Sequence, residues 1–500
     1  MADAPPAPLP ADADASRQAS KGGRTTLWLY LLAAALRLAP VVLTAGLGIG
    51  LDDMFQYDML GRSLAAGHGF RWYAPNDLRQ ILAAMQAYAG IDVASIDLPT
   101  DPRGMLTSFR APLYPAFLGL VYAAFGLTDR FLAARALQAL IGASLAPLAY
   151  AIARELNANQ RLAVGAGVVT AAWPMLVALP LGLATETLFL PALAAGTWLL
   201  LRAERSGADR HHLLAGLLLA LATMTRSVII GFPLLAALRW WRQGRRRPAI
   251  LFLLPLVALA TPWIVRNSLL HQRPTMIESS MGYNLYLGYH PEGTGSFQFG
   301  PSLDLLTILD DAERDAVGRQ HALAFIQQDP ARVPLLVAHK WGHFWGLEDR
   351  IFSFLYSNGF FGRWPTGAVV AALIILSLPL LLVLPLAIFG WTMSPRDPPW
   401  TILSMLFAWY IGVHLLIMAE ERFHFALVPM LTALAARGLT RWPTDVSRLR
   451  TGDPAALRRL WLGGAILLTV VLAWVFELAT GLARYAVLAS AQGWQASLPY

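Results

Sequence analysis

Long apolar segments joined by short arginine-bearing loops dominate the chain, and two long polar stretches interrupt them, 51–110 and Asn267 to about Trp364. The first apolar run, from about Leu27 to Gly50, is too long for a signal-peptide core and lacks a clear cleavage site. It reads as an uncleaved first span, with Lys21 and Arg24 holding its start inside. Residues 1–26 ahead of it have few large apolar side chains and are expected to form a disordered cytoplasmic tail. Pro112–Gly126 offers roughly 15 apolar residues where a spanning helix needs about 20, so it is expected to lie flat or re-enter. That choice puts the Arg154/Arg161 loop and the Arg242, Arg245, Arg246, Arg247 cluster inside, as positive-inside bias demands.

The remaining spans then fall at about Phe131–Ala153, Leu162–Pro180, Thr185–Leu201, Leu213–Thr225, Val228–Trp241, Ile250–Val265, Gly367–Phe389, Trp400–Met418, Phe425–Ala436 and Leu460–Ala479. The expectation is an all-α polytopic membrane protein of about 11 transmembrane helices, N-terminus in and C-terminus out. Arg396, Arg437, Arg441, Arg448, Arg450, Arg458 and Arg459 all land inside, although they played no part in choosing the orientation. The first module is 27–266, with an outer loop at 51–130. A second outer loop covers 267–365, C-terminal spans cover 366–483, and 484–500 form an outer tail. Helical periodicity predicts amphipathic helices in these loops, from Asp77 to Tyr88 and around Asp310 to Gln328. No internal repeat of the kind that marks many secondary transporters is visible.

Composition agrees with membrane residence: 56% of the residues are hydrophobic and 14% charged, and mean hydropathy is +0.50. The net charge of +8 would suggest nucleic acid in a soluble protein. Here the arginines crowd the inner loops, so positive-inside bias explains it and no nucleic-acid partner is expected. The absence of cysteine excludes disulfides, thiolate metal sites and cysteine nucleophiles. His339 and His343 are spaced as two ligands on one helix face, but their aromatic neighbours fit an interfacial helix better, and no metal site is assigned. His211 and His212 read as inner-loop residues, and no phosphate-binding glycine loop or serine elbow is present.

The chemistry-bearing residues that remain lie at outer span ends: Asp52 and Asp53, Arg110, Glu186, Arg226, Arg266, then Glu420, Glu421 and Arg422. Ionisable groups at membrane depth are costly unless solvated, paired or used. Outer arginines run against the charge bias and fit an anionic headgroup, because guanidinium grips phosphate oxygens through parallel hydrogen bonds. The alternative is pairing with Glu186, Glu420 and Glu421, or loose contact with lipid phosphate. A carboxylate beside such a phosphate suits a general base that deprotonates an acceptor hydroxyl while a sugar leaves its phosphate.

Seven stretches in order resemble the bacterial GT-C glycosyltransferases that use polyprenyl-phosphate sugars, the group holding protein O-mannosyltransferases, aminoarabinose transferases to lipid A and lipopolysaccharide galacturonosyltransferases. They are DDMFQYDMLGRSLAAGHGF, FRAPLYPAFLGLVYAAFG, ATETLF, AGLLLALATMTRS, TPWIVRN, GYNLYLGYHPEGTG and ERFHFALVPMLTALAARGL. The resemblance implies a GT-C fold with two periplasmic loops. It implies a catalytic Asp in the first loop, best placed at Asp53 because Tyr57 follows at the family spacing, with Asp52 as fallback. It puts Glu186 near the sugar, Arg266 at the headgroup, and Tyr57, Arg110, Arg226, Tyr283, Asn284 and Arg422 among the substrate-binding residues. The implied activity is transfer of a monosaccharide from a polyprenyl-phosphate donor to a lipid A or lipopolysaccharide, polysaccharide or protein hydroxyl, at the periplasmic face of the bacterial inner membrane. No cofactor is demanded, and a divalent cation is the one addition left open. The rival reading, a transporter or flippase of lipid-linked sugars, would need charges along a path to both faces.

Overall fold

The computed structural model describes residues 10–49, 52–89, 100–305, 307–357 and 362–490. Seven of the described helices are long and apolar enough to cross a membrane. The count becomes eight with the bent pair Gln160–Ala172 and Pro174–Leu181, which meet at 52°. The bend follows from sequence: Trp173 precedes proline and is extended (φ −61°, ψ 115°), because the proline ring disfavours helical backbone at the residue before it. The other three expected spans are the helices Glu186–Ser206, Asp209–Thr225 and Gly231–Arg242. The expected short segment is the helix Leu113–Phe125, whose 13 residues rise only about 20 Å, well short of a bilayer core.

Small residues set the closest helix crossings. A Cβ at Gly216 would lie 2.0 Å from the Phe252 carbonyl oxygen, and one at Gly390 would lie 2.1 Å from that of Leu434. Without a hydrophobic drive between helices in lipid, such close backbone approach supplies the dispersion contact that holds them. Buried polar groups are tied in by hydrogen bonds. Arg37, fully buried, donates to the carbonyls of Ala33 (3.2 Å), Ala171 (3.1 Å) and Thr170 (3.4 Å), joining the first span to the bent pair.

Two chain ends differ from expectation. The first helix runs Pro10–Leu43, so residues from Pro10 on are helical where disorder is expected, and residues 1–9 lie outside the described residues. The alanine, lysine, arginine and glutamine there favour helix locally. The last helix runs Pro454–Ala489, past the expected end at 483, and Arg484 on its extension pairs with Asp349 at 3.1 Å. Residues 491–500 of the expected tail lie outside the described residues.

The two long loops pack on one another at one end of the bundle. Their helices Pro75–Ala89 and Asp311–Gln328 match the two expected amphipathic helices closely. Asp311 accepts from Thr107 Oγ1 at 2.5 Å and Ser108 N at 2.9 Å, and Ser279 N donates to the Ser108 carbonyl at 2.9 Å. In the first loop, Arg71–Trp72 pairs antiparallel with Met105–Leu106. The return passes through Gly104 at φ +88°, where a Cβ would stand 2.3 Å from the Trp72 carbonyl oxygen, so glycine is required.

Candidate active site

Beneath this cap a cavity of about 1340 Å³ opens, lined by Asp53, Tyr57, Arg110, Glu186, Arg226, Tyr283, Asn284 and Arg422. Eight of the ten expected site residues are thus brought to one place from six separate stretches of the chain. Asp53 and Tyr57, one turn apart on the helix Asp52–Ala65, share a face. Arg110 arrives on the irregular stretch between the strand Met105–Leu106 and the short apolar helix. Its Nη2 donates to Asp53 Oδ1, its Nε donates to Gln56 Oε1 at 2.8 Å, and its guanidinium lies 5.2 Å from the Tyr57 ring centroid. Arg422 reaches the other carboxylate oxygen, Oδ2, at 3.4 Å.

Burial alone would raise the Asp53 carboxyl, but Arg110 and Arg422 outweigh it and hold the group down to about 2. Burial pushes the Tyr57 hydroxyl up to about 12, so at neutral pH it remains a donor. Beside this pair stands a second one: Arg226 Nη1 donates to Glu186 Oε1 at 2.5 Å, and Thr185 Oγ1 donates to Glu186 Oε2 at 3.1 Å. The guanidinium of Arg226 also lies 5.1 Å from the Phe423 ring centroid.

The short helix Glu421–Leu427 that presents Arg422 is pinned on both flanks. Glu420 accepts from Ser296 Oγ and Phe297 N, each at 2.6 Å. His424, fully buried, meets the Phe344 carbonyl through Nδ1 at 2.7 Å and Glu348 Oε1 through Nε2 at 2.8 Å.

The other two expected residues, Arg266 and Asp52, are not among the described lining residues. Arg266 lies outside the cavity lining: its Nη1 donates to the Thr107 carbonyl at 2.5 Å and to Asn267 Oδ1 at 2.8 Å, and its guanidinium lies 4.9 Å from the Trp263 ring centroid. It ties the first loop to the end of the helix Arg246–His271 rather than facing a ligand. Asp52 opens its helix, and its side chain lies outside the described residues. Among the lining residues that escaped the sequence are Glu278 and Arg350. Glu278 sits in irregular backbone of the second loop, and Arg350 opens the helix Arg350–Ser357.

Among the described residues, one carboxylate group is gathered tightly enough to hold a cation: Asp349, Glu421 and Glu477, with ligand atoms within 4.8 Å of one another. Arg484 already pairs with Asp349, and the Arg350 amide donates to Glu421 at 2.8 Å. His339 and His343 make separate contacts. His339 stacks on Phe476, and His343, pushed down to about 4 mainly by burial, meets Thr294 Oγ1 at 3.0 Å.

Residues 109–265 match the family model of dolichyl-phosphate-mannose-protein mannosyltransferase. Among curated proteins none matches the chain. Of solved structures, ArnT from Cupriavidus metallidurans bound to undecaprenyl phosphate is similar, with 13% identity and a TM-score of 0.46 over 97% of this chain and 77% of that one. The apo oligosaccharyltransferase of Archaeoglobus fulgidus shares 16% identity with a TM-score of 0.46, over 96% of this chain and 56% of its own. The present chain therefore spans little more than half the length of that enzyme. Over residues 109–265, under a third of the chain, the protein thus resembles the dolichyl-phosphate-mannose-protein mannosyltransferase family, and it is a multi-pass membrane glycosyltransferase.

Proposed function

We propose that the protein transfers a monosaccharide from a polyprenyl-phosphate donor to a hydroxyl of a cell-envelope acceptor, lipid, glycan or protein, at the periplasmic face of the inner membrane. The observation that carries this reading is the Asp53 carboxylate held between Arg110 and Arg422 in a cavity at the capped end of the bundle. The acceptor oxygen attacks the anomeric carbon and its proton passes to Asp53. The bond from that carbon to the phosphate oxygen breaks, and the polyprenyl phosphate departs with the electron pair. Arginine stabilises the charge that grows on the phosphate.

A carboxyl held near 2 is a poor base, and donor binding resolves this. The donor phosphate competes with Asp53 for Arg110 and Arg422, and as those guanidiniums turn to phosphate oxygens the carboxyl rises toward a useful range. Glu186 and Arg226 then supply a second polar wall for the sugar. Activity is tested with purified protein in liposomes, supplied with undecaprenyl-phosphate-linked hexoses and extracted envelope lipid, glycan and protein fractions. Transfer to one fraction supports the reading. Movement of the lipid-linked sugar across the bilayer without transfer would establish the transporter instead.

A further inference from the structure

Glu278 differs from every other lining carboxylate except Glu421. Asp53, Glu186 and Glu420 each have an arginine nitrogen within 4 Å, whereas no cationic nitrogen among the described residues comes that close to Glu278. One of its oxygens, Oε1, accepts from Ser227 N at 3.2 Å and from Ser227 Oγ. The other has no hydrogen-bond partner among the described residues, and the side chain lines the cavity. Its charge reaches Arg110, and Ser227 follows Arg226, so the carboxylate shares a wall with the Arg226–Glu186 pair.

The backbone that carries it is fixed on both sides. The Ile277 carbonyl accepts from Trp263 Nε1 at 2.9 Å and Asn267 Nδ2 at 3.1 Å, and Ser279 is joined to Ser108 through both backbone and hydroxyl. Ile277 and Ser279 are buried, so the carboxylate between them is presented rigidly. An ionised carboxylate only accepts hydrogen bonds, and those it accepts are stronger than neutral ones. Sugar hydroxyls and ammonium groups are the matching donors. A sugar carboxylate would bring like charge against it.

We propose that Glu278 is a donor-sugar recognition residue that accepts from hydroxyl or ammonium groups of a neutral or cationic sugar and rejects an anionic one. The inference rests on the reading of this cavity as the donor site, and goes beyond it by naming the sugar class.

The test measures binding of three lipids in nanodiscs: undecaprenyl phosphate alone, and the same lipid phosphate carrying glucose or glucuronic acid, which differ only at the sixth carbon. Wild type is expected to bind the glucose lipid more tightly than the glucuronic acid lipid. Glu278→Gln, nearly isosteric, is expected to weaken the glucose lipid by about ten- to a hundredfold, the range for losing hydrogen bonds to a charged group, and to shrink the preference. Its affinity for undecaprenyl phosphate alone is expected not to fall. Equal wild-type affinity for the two sugar lipids, or an unchanged preference in both Glu278→Gln and Glu278→Ala, overturns the assignment. Failure of wild type to bind undecaprenyl phosphate alone overturns the donor-site reading itself, and the inference falls with it.

Discussion

Replacing Asp53 by asparagine is predicted to tighten binding of undecaprenyl phosphate while abolishing most turnover. In the free protein the carboxylate occupies the two arginines that the phosphate requires. Lowering its pKa from 3.8 to about 2 corresponds to roughly 2.4 kcal/mol of attraction at about 1.4 kcal/mol per unit. The side chain is 31% exposed, and solvent screening reduces this to about 1–2 kcal/mol. The sign follows from linkage: a depressed carboxyl stabilises fully above about pH 4 and loses that share as pH falls toward 2. At neutral pH the whole amount opposes the phosphate, so Asp53→Asn should bind it about 5- to 30-fold more tightly. The same variant should melt earlier without lipid, because Arg110 and Arg422 lose their counter-charge, and lipid should restore it. Titration in nanodiscs measures both effects. Weaker or unchanged binding in a folded Asp53→Asn protein would refute the competition between carboxylate and phosphate.

Two further predictions concern the fold. Cysteine introduced at Gln160 should be shielded from an impermeant thiol reagent added outside intact cells, whereas one at Glu292 should react; both positions are exposed on the protein, and the native chain has no cysteine to interfere. Labelling of both from outside would sink the assigned orientation. Gly216→Ala places a methyl group 2.0 Å from the Phe252 carbonyl oxygen, so the two helices must separate, and detergent-solubilised protein should lose about 1–3 kcal/mol of stability, read as a lower melting temperature.

Much of the architecture was legible because apolar length reports directly on spanning helices. The short segment Leu113–Phe125 was readable for the same reason, since thirteen residues cannot reach across a bilayer. The pairing of Asp53 with Tyr57 on one helix face was also readable, from a spacing of one turn. Arg266 shows the limit. Its place at the end of a span was visible, but which way it points depends on helix rotation, set here by Trp263, Phe70 and the Thr107 carbonyl. Glu278 and Arg350 were invisible for a different reason. Glu278 sits in irregular loop backbone and Arg350 opens the helix Arg350–Ser357, and in both cases tertiary hydrogen bonds decide what faces the cavity. The Arg422 contact with Asp53 joins residues 369 positions apart, a closure that no local pattern encodes.

The central claim, that the Asp53 carboxylate takes the acceptor proton during sugar transfer, is tested most directly by single-turnover transfer in liposomes with a defined undecaprenyl-phosphate sugar, comparing wild type with Asp53→Asn and Asp52→Asn. Asp53→Asn should lower the rate by about 10²–10⁴ with donor binding retained, while Asp52→Asn costs much less. Loss of activity in Asp52→Asn alone would move the base by one residue, and full activity in both variants would contradict the mechanism.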